Sequence, residues 1–193
     1  MVCLSYIKCV DGSDSIIDPE DPTLPLYDVD DASTIIELDE WYHDFAPALQ
    51  AAYFSPDNGG GSEPVPDSGL INGAGRFNGG PEVPWAVINV QHGRRYRMRL
   101  INSSAFAQYL FGIQDHPMTI IEADGILHDP HTVDSLNIYV AQRYDVFLLY
   151  GSTKALIILW LATLSSSLLT SRSRTTGFRL PWLWTVQVQT RTV

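Results

Sequence analysis

Arg95-Tyr96-Arg97-Met98-Arg99-Leu100-Ile101 decides the fold. Its side chains alternate strictly, with Tyr96, Met98 and Leu100 on one side and Arg95, Arg97 and Arg99 on the other. In an extended chain successive side chains point to opposite faces, so this pattern predicts a half-buried strand. The expectation is an apolar face on the core and an arginine face in solvent.

Similar signals recur on both sides. Thr34 to Tyr42 (TIIELDEWY) is rich in strand formers, and Leu70-Ile71-Asn72 and Trp85 to Val90 (WAVINV) follow. Beyond Ile101, strands are predicted over Tyr109 to Ile113, Met118 to Glu122, Ser135 to Val140 and Tyr144 to Tyr150. Turn signals separate them at Asp115-His116-Pro117, Asp124-Gly125 and Asp129-Pro130. Residues 1–32 and the stretch from Asp44 to Ser68, interrupted by Pro47, Pro56, Gly59-Gly60-Gly61, Pro64 and Pro66, are predicted as loops. No amphipathic helix of useful length competes. About eight short strands at such spacing imply an antiparallel sandwich or barrel.

Charge is distributed unevenly. The chain has 193 residues and a formal net charge of −10, and all 22 acids lie at or before Asp145. Residues 151–193 hold five bases and no acid. The strand grammar also ends near Gly151. The tail is therefore expected to stand apart, with sequence foreign to the domain favoured over a packed appendage or an interaction tail. An acidic body repels phosphates, which argues against a nucleic-acid partner. The apolar run from Ala155 to Leu164 is about half of the ~20 residues a membrane span needs, so a membrane is not expected as a partner. Residues 1–10 lack the pattern of a secretory signal.

Few residues promise chemistry. The histidines are His43, His92, His116, His128 and His131, with no His-x-His pair. His128-Asp129-Pro130-His131 has a ligand-like spacing, but Pro130 places it in an expected turn, and two surface histidines are the simpler outcome. His43, at a strand end beside aromatics, is expected to be a hydrogen-bonded wedge. There is no G-x-S-x-G nucleophile elbow, and the glycine runs lack the following Lys-Ser/Thr of a phosphate loop. Cys3 and Cys9 form no C-x-x-C pair. Asn102-Ser103-Ser104 is a glycosylation sequon, a candidate acceptor if the protein is secreted.

Several segments, taken in order, resemble the fungal laccases, three-domain multicopper oxidases. Tyr27-Asp28-Val29-Asp30-Asp31-Ala32-Ser33-Thr34 with Asp39-Glu40-Trp41-Tyr42-His43 is similar to the opening of their second domain. Asp67-Ser68-Gly69-Leu70-Ile71-Asn72-Gly73-Ala74-Gly75-Arg76 resembles "D-S-x-L-I-N-G-x-G-R". Val87-Ile88-Asn89-Val90 with Gly93 to Leu100, Thr119 to Gly125, Thr132 to Ser135 and Ala141 to Asp145 complete the set. Cys9-Val10-Asp11-Gly12 and Ile16 to Pro22 are similar to the end of the family's first domain.

The resemblance implies an all-β, cupredoxin-like Greek-key sandwich. It divides the chain into a remnant of the preceding domain or linker (1–26), a plastocyanin-like middle domain (27–150) and an atypical tail (151–193). It implies a secreted enzyme that oxidises phenolic small molecules with copper and reduces O2. In the family the copper ligands lie in His-x-His-type motifs of the first and third domains, and the "W-Y-H-S-H" expected before Cys9 is absent here. This chain is thus expected to be a fragment that binds no catalytic copper alone, with the first and third domains as packing partners and with exposed interfaces that lower its solubility. A catalytically inactive β-sandwich with a structural or interaction role is the alternative. Where the family often has "S-C-D-P", this chain reads Ser104-Ala105-Phe106-Ala107, which leaves Cys9 without an obvious partner. The family's "Y-W-I-R-A" strand after Tyr150 is also absent, leaving the last sheet edge in doubt. The middle domain supplies part of the phenol pocket wall in the family, and the candidates here, by position, are Pro64 and Phe106.

Overall fold

A computed structural model describes residues 19–77 and 79–149, together with the backbone of two later strands at Leu156–Thr163 and Leu183–Gln189. Among the described residues, ten strands form two sheets. They are β1 (Ile35–Trp41), β2 (Ser68–Ile71), β3 (Arg95–Asn102), β4 (Tyr109–Ile113), β5 (Met118–Ala123), β6 (Ile126–Val133), β7 (Ser135–Ile138), β8 (Arg143–Leu149), β9 (Leu156–Thr163) and β10 (Leu183–Gln189). One sheet runs β2-β1-β3-β8-β5-β6 and the other β10-β9-β4-β7. A single apolar cluster joins them. It takes Ile36, Leu38, Tyr96, Met98, Leu100, Val146 and Leu148 from the first sheet and Tyr109, Phe111, Leu136 and Ile138 from the second.

The alternation in β3 places Tyr96, Met98 and Leu100 in that core, as its sequence requires. The same two-residue period in β1 buries Ile36, Leu38 and Glu40 in turn. Tight turns fix the register. Asn72-Gly73 has positive φ at both residues and closes the bridge between Ile71 and Ala74, while Asp124-Gly125 does the same between β5 and β6. Such Asn-Gly and Asp-Gly pairs adopt the left-handed conformation that two-residue hairpins need. The Asn72 side chain also accepts from the Glu37 amide and donates to the Ile35 carbonyl, tying the turn to β1.

Several expectations are corrected. The sheet is mixed, because β1 pairs with β3 in parallel while the other ladders are antiparallel. Trp85 to Val90 is not a strand. It runs alongside the core as irregular chain with Ala86, Ile88 and Val90 buried, so the alternation reported burial without pairing. Asp129-Pro130 is not a turn but lies within β6, an edge strand, where the missing proline N–H costs no ladder bond. The loop after Asp44 contains a short helix, α1 (Ala46–Tyr53), with Pro47 in its first turn, where its lost N–H is harmless, and no buried residue. In the tail, whose apolar run the sequence left open between a packed appendage, an interaction tail and foreign sequence, β9 pairs with β4 and β10 pairs with β9. The edge left in doubt is thereby extended.

The largest correction concerns the arginine face. Arg97 is 4% exposed and Arg99 is 15% exposed at the side chain. Residues 21–31 cross the outer surface of β3 and cover both. Arg97 pairs with Asp21, with Glu122 of β5 at 2.7 Å and with Asp145 of β8. Arg99 makes a two-pronged contact with Asp30 at 2.8 and 2.6 Å and lies 3.3 Å from Asp145. At the strand's open end Arg95 bonds Asp28 and the Pro25 carbonyl. Backbone bonds fasten the same segment, since the Asp28 and Val29 amides both donate to the Arg95 carbonyl and Arg97 N–H donates to Val29. A break in the β5 register between Ile120 and Glu122 sets Glu122 opposite Asp145, so both carboxylates meet the guanidinium of Arg97.

Four carboxylates thus surround the buried guanidinium of Arg97 and the partly buried one of Arg99. Burial first, and then mutual repulsion opposed by Arg97, raises the Glu122 carboxyl above its ordinary range. Burial likewise raises Asp145 against the pull of Arg97 and Arg99. Asp21 also suffers burial, but hydrogen bonds from Thr23 and Arg97 outweigh it and hold its carboxyl low.

Candidate functional site

The two residues proposed as pocket wall meet the same strand end. Glu40 is buried at the end of β1, and its carboxylate accepts three successive backbone N–H groups. Ala105 N–H donates to Oε1 at 3.1 Å, Phe106 N–H lies between both oxygens at 3.1 and 3.2 Å, and Ala107 N–H donates to Oε2 at 2.7 Å. This fixes the loop between β3 and β4 and leaves the Phe106 side chain 41% exposed at its crest. Two residues beyond Glu40, the buried Tyr42 donates its hydroxyl to the Pro64 carbonyl at 3.4 Å. Neighbouring residues of one strand end therefore hold the Phe106 loop and the Pro64 loop.

Further bonds secure the first loop. Ser103 donates twice to the Leu38 carbonyl. Ser104 Oγ donates to the Tyr109 hydroxyl, which in turn donates to the Asp39 carbonyl at 2.6 Å. Burial, offset in part by the three N–H donors, raises the Glu40 carboxyl above its usual range. Burial also drives the Tyr42 and Tyr109 hydroxyls well upward, reinforced by the nearby carboxylates, so both remain protonated donors.

Asn102, a candidate glycan acceptor by its sequon, lies inside the fold. The residue is 1% exposed, and its amide nitrogen donates to the Ala107 and Ile138 carbonyls at 3.0 and 3.2 Å. Its carbonyl oxygen accepts from Ser104 N–H. The sequon matches because a buried asparagine here braces the turn into the Phe106 loop, and a sugar on that nitrogen is incompatible with this packing.

His43 is half exposed and hydrogen-bonded, as its sequence setting suggested. Asp67 accepts both its backbone N–H at 2.7 Å and a ring contact at 2.9 Å, and the ring packs against Phe77. The His43 amide, and then its ring, hold the Asp67 carboxyl low. His128 and His131 are both exposed on β6, three residues apart. The β5–β6 register is irregular between Leu127 and His131, so their spacing on the strand does not by itself bring the two rings together. His116 bonds the Gln114 carbonyl through Nδ1. Among the described residues, no three of His, Cys, Asp and Glu come together in a metal-holding group. The donors among the described residues are not grouped as a copper centre needs. Cys3 and Cys9 lie outside the described residues, and no helix among those described is long and apolar enough to cross a membrane.

Glu40 and Asp67 had not been singled out. For Glu40 a signal existed: the β1 alternation that puts Ile36 and Leu38 inside also puts Glu40 inside. A charged residue in phase with a core face must have a buried partner. For Asp67 no local pattern pointed to His43, 24 positions away.

A family profile described as multicopper oxidase matches residues 32–155. Laccase-4 of Thanatephorus cucumeris is 52% identical over 150 residues, which cover 78% of this chain and 28% of that protein. Laccase-2 of Agaricus bisporus is 49% identical over 143 residues, covering 74% of this chain and 27% of that protein. The chain thus spans less than a third of the length of these relatives. Among solved structures, the multicopper oxidase Fet3p, which functions in iron import, superposes with a TM-score of 0.60 at 25% identity, over 78% of this chain and 32% of that one. The laccase from Botrytis aclada does so at 0.56 and 26%, over 65% and 24%.

Proposed function

The chain belongs to the multicopper oxidase family, and from that premise we propose that its β-domain serves a laccase-like enzyme, one that oxidises phenolic small molecules and reduces O2. The observation that carries this reading is the 52% identity to a laccase over a segment that folds as a cupredoxin-like sandwich. Copper is the family's redox centre. The described residues do not fit it, so the ligands belong to the first and third cupredoxin domains of the complete enzyme. Secretion follows from the same kinship.

In this assignment the domain has two tasks. It spaces the copper-bearing domains, and it offers Pro64 and Phe106 as part of the phenol pocket wall. Its surface is consistent with the first task. Phe45, Phe54, Val65 and Ile126 are 76, 73, 65 and 71% exposed, a burden of apolar surface that suits packing partners. These faces also predict aggregation of the isolated chain, which size-exclusion chromatography at rising concentration would reveal; a sharp monomer peak would count against it.

The test is the longest natural product of the gene, purified and assayed for copper content and for O2 uptake with 2-methoxyphenol. Copper and phenol-dependent uptake are expected. A product ending at Val193 that holds no copper and takes up no O2 would instead identify a catalytically inactive module with a structural or interaction role.

A further inference from the structure

A carboxylate that is buried without a cation needs a reason to be there. Glu40 is 4% exposed, and none of its hydrogen bonds comes from a Lys or Arg. Its partners are three consecutive N–H groups of one loop. Consecutive amides that converge on one point form an anion-binding concavity, usually filled by a ligand. Here the protein fills it with its own side chain. The loop has no regular pairing between the end of β3 at Asn102 and the start of β4 at Tyr109, so these bonds set its path. At its crest is Phe106, an aromatic ring left 41% exposed although its backbone N–H is tied down.

We propose that Glu40 is a positioning residue for substrate, holding the Ala105–Ala107 loop so that the Phe106 ring stands out as an apolar platform for an uncharged aromatic ring. This rests on the assignment of Phe106 to the phenol pocket wall. Glu40 touches no substrate and acts through the loop. Phe106 offers a π-face and no hydrogen-bond acceptor, so its preference is for ring stacking over recognition of the phenolic hydroxyl. Substrates with a wide, neutral ring face gain most from it.

The full chain, labelled for NMR, tests this with 2-methoxyphenol as probe. Two things are read: amide hydrogen exchange at Ala105, Phe106 and Ala107, and the probe-induced shift of the Phe106 ring. Glu40→Gln keeps the side chain's volume but loses its charge. It is expected to speed exchange at these amides about tenfold or more, in line with the loss of a charge-assisted hydrogen bond, and to abolish the probe shift. Phe106→Ala is expected to leave exchange at Ala105 and Ala107 unchanged while weakening probe binding. It serves as the control if Glu40→Gln proves poorly folded, because an exposed ring is not needed for the core.

Unchanged exchange and unchanged probe shift in Glu40→Gln would overturn the proposal, since mere space-filling would then account for Glu40. A wild-type chain whose Phe106 ring ignores the probe would overturn it as well, by removing the pocket assignment. In that case faster exchange in Glu40→Gln would still show which half failed.

Discussion

The β3 arginines and Glu40 show two ways to bury charge in one small sandwich. At β3 two guanidiniums meet four carboxylates from three separate parts of the chain, and burial raises Glu122 and Asp145 against the pull of the arginines. At Glu40 one carboxylate meets only backbone N–H groups of a single loop. The first arrangement ties distant segments together: Asp21 and Arg97 are 76 positions apart. The second shapes one loop. Removing a charge should therefore unsettle the whole domain in the first case and one functional feature in the second.

The largest effect is expected at Arg97. Arg97→Met would leave Asp21, Glu122 and Asp145 facing one another without their shared cation. Breaking a buried pair from one side costs about 3–5 kcal/mol, so the midpoint of urea unfolding should fall sharply; a shift of a few tenths of that size would mean that Arg97 is solvated after all. Glu40→Leu comes next. It leaves three amides of an exposed loop to bond water instead, so a net loss of about 1–3 kcal/mol is expected, and exchange should accelerate at 105–107 before elsewhere. Asn102→Ala follows, at roughly 1–3 kcal/mol for the two carbonyls it deserts. Mass spectrometry of the secreted, folded protein should find no glycan at Asn102.

A pH titration sharpens the comparison at smaller scale. Asp28 is held down to about 2 from 3.8, chiefly by the Arg95 side chain and then its amide, and Asp21 is also held low. A depressed carboxyl gives stability that is present above its ordinary value and lost as pH falls toward the folded one. The segment over β3 should thus loosen between about pH 4 and pH 2, visible as faster exchange at the Asp28 and Val29 amides. Glu122, Asp145 and Glu40 are raised and have the opposite sign, since their contribution is present at low pH and lost as pH rises through their folded values. The acid response should therefore begin at residues 21–30 and spare the Phe106 loop. Simultaneous loosening of both would break the comparison. Arg95→Ala, at an exposed pair, should change stability least of the three arginines.

The sandwich was legible because alternation reports burial, and burial faces of strands make layers. Tyr96, Met98 and Leu100 needed nothing else. The arginine face was misread for a physical reason. Alternation says which side chains share a face, but not whether a later or earlier segment lies on it. Only the run of acids in residues 21–31, of which Asp21, Asp28 and Asp30 pair with Arg97, Arg95 and Arg99, hinted at a cover. Trp85 to Val90 shows the same gap from the other direction, with alternate burial but no partner strand. Pro130 read as a turn because local sequence does not reveal which strand is an edge. At the candidate site Phe106 and Pro64 were placed by kinship, while the groups that hold their loops, Glu40 and Tyr42, lay within the strand motif and were visible only as an in-phase charge beside an aromatic. The depth of Asn102 was not legible, since a three-residue sequon carries no information on burial.

The most direct test of the functional assignment is a graft. Residues 32–149 would replace the matching segment of the Thanatephorus cucumeris laccase, and O2 uptake with 2-methoxyphenol would be measured after copper loading. The account predicts a copper-bearing hybrid that oxidises the phenol, with KM altered by Phe106→Ala more than kcat. A hybrid that folds and holds its copper yet leaves the phenol untouched would contradict it.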